Sequence, residues 1–153
     1  MKIESIADHL DLLVTIGQWH WDEWGQADPE GSVKTWTDGL GERTLRDSIP
    51  TTYIALSEHS EPLGSVTLVD CDMDTHQELS PWLAGLYVPY DFRNQGIGSK
   101  LVNHAVEKVR SMGISTLFLY SSNATGLYTK LGWQTIGKEF YEGEDVSIMV
   151  NIA

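Results

Sequence analysis

The chain has 153 residues, 41% of them hydrophobic and 21% charged, with a net charge of −12. That length fits one domain over residues 1–153, with a core that needs neither disulfide nor metal. The acidic balance disfavours nucleic acid as a partner, because phosphate binding needs a basic face. It permits a cationic substrate steered by carboxylates, and solubility alone accounts for it equally well. The apolar runs are too short to span a bilayer, Met1-Lys2-Ile3-Glu4-Ser5 lacks a secretion-signal layout, and Cys71 is the single cysteine. A cytoplasmic protein with no membrane segment is expected.

In chain order, Lys2 to Ile6 reads as a strand. Asp8 is placed to cap a helix reaching Trp24, with Leu10, Leu13, Gly17, Trp21 and Trp24 at helical spacing. Ser32 can cap a second helix carrying Val33, Trp36 and Leu40. Thr51 to Leu56 and Gly64 to Val69 read as a hairpin, and Trp82 to Val88 as a third strand in this part of the chain. A strong amphipathic helix then buries Leu101, Val102, Ala105, Val106, Val109 and Met112. Thr116 to Tyr120 is a strand and Ala124 to Lys130 a short helix. Trp133 to Tyr141 and Val146 to Asn151 form a closing hairpin. The fold class is α+β (mixed α/β), with a strand–helix–strand crossover from Trp82 to Tyr120.

Between that third strand and the amphipathic helix lies Arg93-Asn94-Gln95-Gly96-Ile97-Gly98-Ser99-Lys100. Glycines let backbone approach a ligand closely, and the free N–H groups of a first helical turn attract an anion. Arg93 and Lys100 add positive charge, so a diphosphate is the natural occupant. The segment fits neither a Walker A loop nor the G-x-G-x-x-G dinucleotide fingerprint.

Residues 86–102, Leu-Tyr-Val-Pro-Tyr-Asp-Phe-Arg-Asn-Gln-Gly-Ile-Gly-Ser-Lys-Leu-Val, resemble motif A of the GNAT superfamily of N-acetyltransferases, [Q/R]-x-x-G-x-[G/A]. Ala124-Thr125-Gly126-Leu127-Tyr128-Thr129-Lys130-Leu131-Gly132-Trp133 resembles that family's motif B. The resemblance implies a central mixed sheet of about six to seven strands with a splayed parallel pair, flanked by about four helices. It implies acetyl-coenzyme A as co-substrate and no metal. Leu86 and Val88 would hold the pantetheine, and an N–H near Tyr87 or Val88 would polarise the thioester. Amides from Gln95 to Lys100, beside Arg93 and Asn94, would hold the pyrophosphate. Tyr128 would protonate the departing thiolate as general acid.

The chain departs from the family pattern in three places, one being that residues 80–88 read almost wholly apolar, which makes that wall of the pocket unusually greasy. Ser121 stands where many members have Asn, with Asn123 two residues on; either is placed to meet the coenzyme. Trp82 stands where many have a Glu base, which leaves Glu78 and His76 as the nearest groups to take a proton. The D-x-D-x-D start at Asp70 lacks the glycine and the final glutamate of a calcium loop. In extended form Asp70, Asp72, Asp74 and His76 would share one face, an acidic lip for an amine, with Asp74 as a substrate contact. Trp21 and Trp24, near Trp19 and His20, serve either as core or as an acceptor wall.

The expected function is transfer of acetyl to a primary amine of a small molecule, by direct attack in a ternary complex. Acetylation of a protein N-terminus or lysine, and a coenzyme-binding module without catalysis, are the alternatives. A homodimer is compatible with the sequence.

Overall fold

The computed structural model describes residues 1–153. Its elements are β1 (Lys2–Ser5), α1 (Leu13–Trp24), α2 (Val33–Gly41), β2 (Thr51–Leu56), β3 (Pro62–Val69), β4 (Trp82–Tyr87), α3 (Ile97–Ser111), β5 (Thr116–Ser121), α4 (Thr125–Lys130), β6 (Gln134–Tyr141) and β7 (Glu144–Ile152). The strands form a single seven-stranded sheet in the order β1-β2-β3-β4-β5-β7-β6. Every neighbouring pair is antiparallel except β4 and β5, which are parallel and joined through α3. The α+β class, the strand number and the four helices agree with the sequence reading.

Side-chain alternation along the strands sends two sets of residues to opposite faces. One face carries Tyr53, Val66, Leu68, Leu83, Leu117, Leu119 and Met149. These pack with Leu101, Val102, Ala105, Val106 and Val109 of α3 and with Tyr128 and Trp133. The expected apolar stripe of α3 is therefore the central core, except for Met112, which follows the helix as its half-buried C-cap. On the other face, Ile54 and Leu56 meet Ile6, Ile16 and Leu40, which binds α1 and α2 to the β1–β2 end. Further across that face the β3–β4 loop folds over the sheet, burying Met73 with Val69, Trp82, Val146 and Ile148.

The N-terminal helix is shorter than its periodicity suggests. Two 3-10 turns, Ile6–Asp8 and Leu10–Leu12, precede α1, and His9 between them has φ −141°, outside the helical range. Ser5, not Asp8, caps the first turn, accepting from the Ala7 N–H at 3.1 Å. Asp8 instead pairs with Arg46. Leu10 is consequently exposed, and Ile16, Gly17 and His20 form the buried stripe, with Trp21 and Trp24 half-buried. Ser32 does cap α2, in a reciprocal capping box with Thr35.

Candidate active site

β4 and β5 share one register pair, Trp82 opposite Phe118, secured by the Phe118 N–H on the Pro81 carbonyl at 3.0 Å. Beyond it the strands part. A bulge causes this: Ser65 of β3 faces Tyr87, while Thr67 faces Ala84, so β4 carries an extra residue between them. Gly85 takes the left-handed conformation there, φ +58°. A bulge bends its strand and raises the local twist, which steers the end of β4 away from β5. The gap faces the C-terminal ends of both strands.

The chain leaves β4 and passes directly to the glycine segment. Asn94 has φ +64° and Gly96 φ +80°, so the loop curls with its amides turned to one side. Gly96 is the N-cap of α3 and offers no side-chain cap. None of the N–H groups from Asn94 to Ser99 has a hydrogen-bond partner in the chain; the first bond of the helix is Lys100 N–H to Gly96 carbonyl at 3.1 Å. Six adjacent donors at the positive end of a 15-residue helix make an anion cradle. A Cβ on Gly96 would meet no atom within 4 Å, so its surroundings are open.

The flanking cations behave differently from each other. Arg93 Nε donates to the Val88 carbonyl at 2.8 Å, and its guanidinium lies 5.7 Å from the Tyr87 ring and 5.9 Å from the Tyr90 ring. It braces the end of β4. Lys100 is exposed on the first turn of α3. Across the gap, Ser121 Oγ accepts the Ala124 N–H at 3.0 Å and so shapes the turn into α4, while Asn123 is exposed.

Tyr128 on α4 is 6% exposed, edge-stacked on Trp133 at 5.9 Å. Its hydroxyl has no partner and is not among the fully enclosed orphan atoms. Burial alone pushes its phenol up to about 12, which keeps the proton on it throughout the physiological range.

On the α1 side of the sheet, Trp19 and Trp24 pack on Tyr87 at 5.7 and 6.2 Å. Trp21 turns away, edge-on to Trp36 of α2. Trp24 therefore stands beside the end of β4 and Trp21 does not. Trp82, Phe118, Tyr120 and Tyr141 form a second aromatic group toward the β6–β7 hairpin, in which Trp82 is fully buried.

The acidic segment is not extended. A 3-10 turn at Asp74–His76 breaks the alternation, so the four side chains do not form one lip. Asp74 accepts from the Tyr141 hydroxyl at 3.0 Å. His76 sits between Glu139 and Glu78, and those carboxylates hold its imidazole above its ordinary range. Glu78 is exposed, and its carboxyl is lowered by a backbone hydrogen bond and by His76. Both groups are thus committed to a surface network that pins the loop to β6.

Asp72 is different. It is half-buried and makes no hydrogen bond or ion pair within the chain. Burial pushes its carboxyl up to about 7, against the pull of Arg43 beyond α2 and with the push of Glu142 in the hairpin turn. Its charge also reaches Tyr120 at the end of β5. The sequence holds Asp72 only as one of an alternating row; its distinction comes from Met73 beside it plunging under the loop. Ser65 and His20, described below, carried no sequence signal beyond their residue types.

Residues 13–133 match the Acetyltransferase (GNAT) family, and the chain belongs to that family. It is 29% identical over 100 residues to the peptidyl-lysine N-acetyltransferase YjaB of Salmonella typhimurium, across 63% of this chain and 61% of that protein. It is 33% identical over 93 residues to human N-acetyltransferase 8B, across 58% of this chain and 40% of that one. The chain thus matches less than two thirds of the length of either relative. In fold it resembles an aminoglycoside 6′-N-acetyltransferase crystallised with coenzyme A, with a TM-score of 0.79 over 99% of this chain and 97% of that one at 16% identity. A spermidine N-acetyltransferase SpeG chimera from Vibrio cholerae and hSSAT superimposes with a TM-score of 0.74 at 16% identity, over 99% of this chain and 96% of that one.

Proposed function

We propose that this chain is an N-acetyltransferase that moves acetyl from acetyl-coenzyme A to a primary amine of a small cationic molecule. The observation that carries this reading is the run of unpaired N–H groups from Asn94 to Ser99 at the mouth of the β4–β5 gap. The cradle suits a diphosphate, and the parted strands offer peptide groups to an amide-bearing arm leading inward. Gly96 and its open surroundings fit that occupant, because no side chain intrudes.

Bound acetyl-coenzyme A supplies an activated acyl carbon and a thiol leaving group. Backbone N–H groups near Tyr87 or Val88 polarise the thioester carbonyl. The amine nitrogen bonds to that carbon, and the carbon–sulfur bond breaks. The Tyr128 hydroxyl donates a hydrogen bond to the departing sulfur. Its phenol, at about 12, is a weaker acid than a thiol at about 8.5, so donation within the transition state suits it better than early, complete transfer.

A protonated alkylamine has a pKa near about 10 and must lose a proton. That first proton leaves to water before attack, freeing the lone pair; once bonded to the carbonyl carbon the nitrogen is much more acidic, and its second proton passes to a carboxylate near 7. Asp72 has that property and no competing partner, whereas Glu78 is paired with His76, and His76 also with Glu139. Asp72, Glu142 and Glu144 around Tyr120 favour a cationic acceptor beside that ring.

A lysine side chain is the second reading, favoured by the similarity to a peptidyl-lysine N-acetyltransferase. The test is calorimetry with acetyl-coenzyme A followed by thiol-release assays. Polyamines and aminoglycosides form one panel and lysine peptides the other. Binding without thiol release on either panel would leave a coenzyme-binding module.

A further inference from the structure

The bulge that opens the sheet is held by a buried polar chain reaching back to α1. A bulged peptide inside a sheet needs a substitute partner for its carbonyl. Here the Ser65 hydroxyl donates to the Gly85 carbonyl at 3.2 Å. Ser65 Oγ also lies 2.8 Å from His20 Nε2. A serine hydroxyl has a single proton, and the carbonyl takes it, so at the imidazole the oxygen accepts. His20 is therefore the Nε2–H tautomer, donating to Ser65.

Both side chains of the relay are enclosed, while Gly85 is half-buried. Ser65 is 0% and His20 7% exposed, and burial pushes the imidazole down to about 4, with Arg43 adding to the effect. The ring is held by Trp24 at 5.2 Å, and Trp24 and Trp19 in turn pack on Tyr87. Helix α1 thus grips the bulge twice, at Gly85 through hydrogen bonds and at Tyr87 through aromatic contact. The fit is close: a Cβ on Gly85 would stand 3.2 Å from Thr67 Oγ1 and 3.5 Å from His20 Cε1.

We propose that His20 is a positioning residue for acetyl transfer, acting through Ser65 to set the peptide groups of Gly85–Tyr87 against the thioester carbonyl. This rests on the donor reading above. Oxyanion donors work only when aimed within a few tenths of an ångström, and misplacement by about 1 Å costs on the order of a hundredfold in rate. A hydrogen-bonded chain from a rigid helix supplies that aim where the sheet ladder has been interrupted.

The experiment compares His20→Ala, His20→Gln and Ser65→Ala with the wild-type chain. Three readouts apply: acetyl-coenzyme A affinity, kcat for a thiol-releasing amine, and the isotope-edited carbonyl stretch of bound acetyl-coenzyme A. Ala at either position is expected to lower kcat by about ten- to a hundredfold. It should also move the stretch toward that of the free thioester, while affinity changes less than about threefold. Gln places an N–H donor at nearly the reach of Nε2 and is expected to restore most of both signals. Ser65→Ala removes one oxygen and keeps the test standing if His20→Ala does not fold. Unchanged kcat and stretch in Ser65→Ala, with acetyl-coenzyme A bound, overturns the inference alone. So does a His20→Gln variant no better than Ala. Failure of the wild type to bind acetyl-coenzyme A overturns this inference together with the donor reading.

Discussion

Trp82 lies opposite Phe118 across the parallel pair, and no second register pair joins β4 to β5. The Trp82 indole is fully buried, donates to the Leu79 carbonyl at 2.7 Å, and packs against the Phe118 ring at 5.9 Å. One end of the seam is therefore sealed by aromatic packing, and the other is forced open by the bulge at Gly85. The gap between β4 and β5 therefore has a closed, aromatic floor at Trp82 and Phe118.

Gly96→Val is expected to weaken acetyl-coenzyme A binding at least about tenfold. The position has φ +80° and space around it, so the local cost is conformational, about 1–2 kcal/mol. The added side chain would also stand among the free N–H groups. Calorimetry at constant salt measures it, and unchanged affinity would remove the cradle assignment.

Tyr128→Phe is expected to reduce kcat by about ten- to a hundredfold with little change in coenzyme affinity, because the ring still packs on Trp133. Steady-state kinetics beside calorimetry separate the two. Equal turnover in the variant would show that the hydroxyl has no part in thiolate departure.

Asp72→Asn should lower kcat/KM and remove its acid limb near pH 7 while raising stability. The folded carboxyl titrates at about 7 and the unfolded one at 3.8. Protonation is thus favoured by folding, and the stabilisation present below pH 3.8 is lost as pH rises through about 7. Above that the ionised group costs up to about 4 kcal/mol, an upper bound for a half-buried carboxylate. Thermal melts at pH 8 should show Asn as the more stable chain. Glu78→Gln should leave the acid limb in place.

His20 gives the opposite slope. Its folded value is about 4 against 6.5 unfolded, so the unfolded chain gains the proton first. Stability is complete above pH 6.5 and falls toward pH 4, by about 3 kcal/mol. Denaturant midpoints at pH 7 and pH 5 should differ in the wild type, and His20→Gln should flatten the difference.

Much of the fold was legible in the chain because its signals are local. The apolar stripe of α3 from Leu101 to Val109, the cap at Ser32, and the glycine spacing at Gly96 and Gly98 each depend on residues within two turns of one another. The start of α1 lies later than the periodicity predicts, because His9 leaves the helical region, which apolar spacing does not register. Asp8 found its partner in Arg46, far along the chain.

The order of most elements was readable in short-range periodicity and turn residues, and the resemblance of residues 86–102 and 124–133 to two GNAT motifs pointed to the family. Which acidic side chain is distinctive emerged from packing alone. Asp72 differs from Asp74 through burial over the sheet and through distant Arg43, Glu142 and Tyr120. Likewise His20 meets Ser65, 45 residues away, only because α1 lies across the bulge. Desolvation and long-range pairing are properties of packed neighbours, and no single stretch of chain carries them.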